Sequence, residues 1–72
     1  MNKVDIFKAQ KTVLVGERAK VGIDLEVLTS NPQSIPEHVQ FQEEVDKLIG
    51  QLAEINDKIK VVDFLIQQED NK

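Results

Sequence analysis

Residues 41–66 read FQEEVDKLIGQLAEINDKIKVVDFLI, and the order of apolar side chains in that run decides the fold. Phe41, Val45, Leu48, Leu52, Ile55, Ile59, Val62 and Ile66 are spaced 4-3-4-3-4-3-4. Every a and d position of a heptad repeat is therefore apolar across more than three heptads. A strict 3.5-residue repeat keeps one stripe of a helix facing one partner, as in a coiled-coil seam. Ile49 and Leu65 widen the stripe beyond what a two-stranded seam needs. Glu43–Lys47 and Glu54–Lys58 stand four residues apart in the favourable order, each worth a few tenths of a kcal/mol on a helix.

Upstream of this run lies the one clear break in the chain. Residues 29–36, Thr-Ser-Asn-Pro-Gln-Ser-Ile-Pro, hold both prolines and a polar cluster. Proline drives the residue before it out of helical geometry, so a first helix should stop by about Ser30. Ser34 and Glu37 have the spacing of a capping box, in which side chain and backbone N–H groups satisfy each other reciprocally. Pro36 would fall in the first turn, where its missing N–H is harmless. The second helix is expected from about residue 35 to 68.

The first thirty residues carry the same alternation less cleanly. Val4, Phe7, Lys11, Leu14, Arg18, Val21, Leu25 and Leu28 follow 3-4 spacing, with two basic residues in a positions. A second stripe of Ile6, Val13 and Val27, broken by Lys20, runs beside the first. Together they make an apolar face wide enough to touch two neighbours. Asn2 is a plausible N-cap with Asp5 at N3. This reading gives a helix over about residues 3–30 and a connection over about 30–35.

A rival reading makes residues 12–29 a strand pair and the chain ββα. Val21, Ile23, Leu25 and Val27 alternate with Gly22, Asp24 and Glu26, the period of a half-buried strand, and Thr12–Gly16 is rich in β-branched residues. Against it, Glu17-Arg18-Ala19-Lys20 forms helix readily and lacks turn residues. A lone two-stranded hairpin is also marginally stable at best. The expected fold is all-α: one domain over residues 1–72, an antiparallel, coiled-coil-like two-helix hairpin. Two helices alone bury one side of each stripe, so the hairpin is expected to pair into a four-helix bundle as a homodimer, or to dock on another helical protein.

Composition narrows the function. At 72 residues a single core is marginal, and small chains of this size usually need a staple. Without cysteine there is no disulfide and no thiolate metal site. The lack of cysteine fits a reducing cytoplasm. No apolar h-region follows the first methionine, and no run approaches the ~20 residues that span a bilayer, so neither a signal peptide nor a membrane partner is expected. Net charge is −4. The excess of acids lies in the second half, while Lys3, Lys8, Lys11, Arg18 and Lys20 leave the first half slightly basic. That balance disfavours nucleic-acid binding, although two copies of the first helix could in principle form one basic face.

No residues form a catalytic constellation, and no enzyme, cofactor or metal site is expected. His38 stands one heptad before Val45 and reads as a polar end to the seam. Ser34 is accounted for as a cap rather than a nucleophile. Glu43, Glu44 and Asp46 lie near a helix start, where the helix dipole favours acids. The three glycines match no phosphate-binding motif. The more informative residues are Lys11, Arg18 and Phe64. Lys11 and Arg18 stand one heptad apart inside the seam, where they could set register, meet acids such as Glu54 or Asp57 or a partner's carboxylate, or cover apolar surface with their stems while their charges reach water. Phe64 falls at an f position, outside the stripe, and is a candidate exposed anchor. The function expected from all this is a non-enzymatic interaction module: a small helical adaptor, co-chaperone or regulator acting through apolar helix faces. The alternative is a nucleic-acid-binding four-helix dimer.

Overall fold

A computed structural model describes residues 1–30 and 38–72, with side chains from residue 40 onward in the second segment. It contains two α-helices, α1 (Lys3–Ser30) and α2 (His38–Asp70). They pack side by side in an antiparallel hairpin 55 Å long and about 15 Å across. The long dimension matches α2, whose 33 residues span about 50 Å at 1.5 Å per residue.

α1 begins where the cap was expected. The Asp5 backbone N–H donates to Asn2 Oδ1 at 2.8 Å, and the Ile6 N–H donates to the Asn2 carbonyl at 3.1 Å. The helix then runs unbroken through residues 12–29, so the strand-pair alternative is wrong. The same residues satisfy both periods, but only the helical one places Phe7, Leu14 and Val21 on one side against α2. A strand pair would have had no third strand to cover it. Thr12 and Thr29 are accommodated because their hydroxyls donate back to the carbonyls of Lys8 and Leu25, at 3.1 and 2.8 Å.

At its far end α2 continues two residues beyond the expected stop near 68. Gln67, Gln68 and Glu69 are good helix formers. The Asn71 N–H still donates to the Gln67 carbonyl at 3.1 Å. The expected start of this helix near Ile35, the Ser34–Glu37 capping box and the side chain of His38 lie outside the described residues.

The core is thin. Leu14, 2% exposed, is the most buried side chain and packs with Ile55, Ile59 and Val62. Phe7, Val21 and Ile66 lie against this cluster, and Leu48 is buried farther along α2. All belong to the two 3-4 series. Among the described residues no polar or charged residue is buried. The seam carries the stability, at roughly 25 cal/mol for each Å² of apolar surface removed from water. Against it stand three helical glycines, Gly16, Gly22 and Gly50, each costing about 1 kcal/mol relative to alanine.

Candidate functional site

Two polar contacts mark how the helices register. Lys11 Nζ lies 2.7 Å from Asp63 Oδ1, and Arg18 Nη1 donates to Asn56 Oδ1 at 3.1 Å. One heptad forward along α1 is thus one heptad back along α2. Lys11 and Arg18 do find partners on α2, but not Glu54 or Asp57. Those two acids stand at c and f positions, outside the seam, whereas Asn56 and Asp63 stand at e positions on its other flank. Both sides of the Lys11–Asp63 pair remain partly exposed, so the basic heads sit at the seam's edge while their stems cover it. Glu54–Lys58 closes at 3.2 Å, whereas Glu43–Lys47 is not among the ion pairs of the described residues.

This geometry also divides the five basic residues of the first half. Lys11 and Arg18 are engaged with α2. Lys3, Lys8 and Lys20 occupy g, e and c positions around α1 and do not combine into one basic stripe. Among the described residues no three His, Cys, Asp or Glu side chains converge as a metal site would require. A shallow groove between the helices is edged by Glu17, Lys20 and Asp24 from α1 and Gln51, Glu54 and Lys58 from α2. It mixes both charge signs and holds no buried polar side chain aimed at a ligand.

The surface that stands out is the side of α1 turned away from α2. Val4, Phe7, Leu14, Val21, Leu25 and Leu28 of the seam are buried or half-buried within the hairpin. Phe41, Val45, Leu48, Leu52, Ile55, Ile59, Val62 and Ile66 are likewise turned to α1. The second stripe is left over: Ile6, Val13 and Val27 are each at least half exposed, Val27 reaching 67%. Ile23, 64% exposed, lies on the same side. With Ala9, Gly16 and Lys20 these residues form a complete series, 6-9-13-16-20-23-27, at the c and f positions of α1. Sequence reasoning found only its c residues. The missed signal was the same 3-4 spacing, displaced by two residues from the seam.

α2 has a smaller exposed apolar group. Phe64 is 61% exposed, with Val61 on the same side, and Ile49 is exposed on the e flank. Leu65, expected to widen the seam, is half-buried beside it. The remaining c and f positions of α2 include Glu43, Lys47, Glu54, Asp57 and Gln68, and that face is largely charged.

Among the described residues no helix is long and apolar enough to cross a membrane. Comparison with known protein families, characterised proteins and solved structures gives no match.

Proposed function

We propose that this chain is a non-enzymatic protein–protein interaction module, a small helical adaptor, co-chaperone or regulator, that works in the cytoplasm by offering an apolar helix face to another helix. The observation that carries this reading is the stripe of Ile6, Val13, Ile23 and Val27 on the outside of α1. The hairpin has already satisfied its own seam, and these residues remain half or more exposed outside it. Contiguous exposed apolar surface on a small chain marks a contact site or an aggregation hazard. A partner helix laid along the stripe would meet anchors at the 3-4 spacing used in helix-in-groove recognition. The cytoplasmic placement is supported by the absence of cysteine from the whole chain.

The test is a comparative capture. Immobilised wild-type chain and a Val13→Glu/Val27→Lys variant are exposed to the same native extract, after circular dichroism has shown equal helicity. The reading expects proteins, or further copies of the chain, retained by the wild type and lost from the variant. Retention of the same set by both would contradict it.

A further inference from the structure

We propose that the outer stripe of α1 is covered by the same stripe of a second copy, antiparallel and centred on Gly16. The proposal rests on the interaction-module reading and supplies its occupant.

Area is the first argument. The hairpin exposes 5574 Å². A compact monomer of 8.2 kDa would expose about 4,500 Å² on the usual mass scaling. The excess, about 1,000 Å², is spread over a rod of 55 × 15 × 14 Å, and it leaves ample uncovered surface for one partner's share of a standard interface, about 800 Å².

Self-complementarity is the second. The series Ile6, Ala9, Val13, Gly16, Lys20, Ile23, Val27 matches its own reverse about Gly16. In an antiparallel pair Ile6 faces Val27 of the other copy, the small Ala9 faces the large Ile23, and Val13 faces Lys20. The lysine stem lies along valine, and its ammonium comes within about one helical turn of Glu17 of the second copy. A parallel pair would instead set Lys20 against Lys20. The outer side of α2 offers no comparable apolar series, since Glu43, Lys47, Glu54 and Asp57 interrupt it.

Gly16 is the third. A Cβ built there meets nothing within 4 Å, so nothing in the hairpin requires glycine. All three helical glycines have such open space, but only Gly16 lies on the outer stripe of α1, where a crossing of two helix backbones would use the missing side chain. The assembly is then a four-helix dimer with the two α1 helices at its centre.

Because the chain has no cysteine, thiol cross-linking reads this register directly. Chains carrying Val13→Cys are mixed with chains carrying Lys20→Cys and mildly oxidised. The mixture should give disulfide dimers in large excess over Val13→Cys chains alone. The two copies of residue 13 are offset by about 10 Å along the axis, beyond the roughly 7 Å that a disulfide bridges. Equal cross-linking of Val13→Cys alone, or no more in the mixture than with Phe64→Cys chains, would overturn the proposal. Independently, Ile23→Glu should keep the helicity of the chain and weaken self-association at least about tenfold, and an unchanged dimer would overturn it. A wild-type chain that stays monomeric also overturns self-pairing. It does not touch the interaction reading if the capture experiment still separates wild type from variant.

Discussion

The two sides of α1 carry the same kind of sequence and have different fates. The inner side, through Phe7, Leu14 and Val21, is packed on α2, with Leu14 almost wholly buried. The outer side, through Ile6, Val13, Ile23 and Val27, stays half or more exposed to solvent within the hairpin. α2 shows no such duplication, because its outer positions are mostly polar or charged. One apolar stripe per helix is enough to make a hairpin, so the second stripe on α1 must be explained by something other than the fold. The comparison also locates the weakness of the chain. Its two glycines in α1 fall at an outer f position, Gly16, and at the seam's e flank, Gly22, and neither is required by packing against α2.

Substitutions on the two sides should therefore behave oppositely. The largest effect is expected from Leu14→Ala. Deleting a buried leucine side chain removes about 2–5 kcal/mol, comparable to the whole stability of a core this small. The variant should lose most of its helical circular dichroism at low concentration. Ile23→Glu, at a more than half-exposed position, should leave that signal unchanged under the same conditions. If both variants unfold, the two sides are not independent.

A smaller and opposite change is expected at the glycines. Gly50→Ala, where the added methyl has open space, should stabilise the chain by about 1 kcal/mol in urea unfolding. Gly16→Ala should give the same gain in dilute solution and lose it as concentration rises, because the methyl then obstructs the crossing of the two copies. Equal gains at every concentration would show that nothing approaches Gly16. The smallest effect belongs to the Lys11–Asp63 pair. Both side chains are around half exposed, and a double-mutant cycle should return less than about 1 kcal/mol, falling further in salt. A larger coupling would mean that the pair is buried in an assembly.

Much of the hairpin was legible in the sequence because one pattern repeated without exception. Every a and d position from Phe41 to Ile66 is apolar, and that alone fixes a helix with one inward stripe. The Asn2 cap was equally readable, since its chemistry is local. Residues 12–29 were ambiguous for a physical reason: Val21, Ile23, Leu25 and Val27 fit a period of two as well as one near 3.5. What decides between them is a partner surface, and the intact stripe of α2 supplies it. The partners of Lys11 and Arg18 were not readable, because spacing along one helix does not give the register between two. Phe64, at an f position outside the seam, is exposed. The outer stripe of α1 was half seen, because Lys20, Ala9 and Gly16 do not look apolar in a list of residues. They fall into line only when the seam has been assigned elsewhere.

The most direct test of the account is the absolute mass of the wild-type chain by light scattering across a dilution series, with helicity followed on the same samples. Pairing through the outer side of α1 should give a mass of two chains at high concentration, falling toward one on dilution. A single-chain mass throughout, with full helicity, would contradict it: the thin seam would then suffice alone, and the outer face of α1 would not be a surface for a second copy.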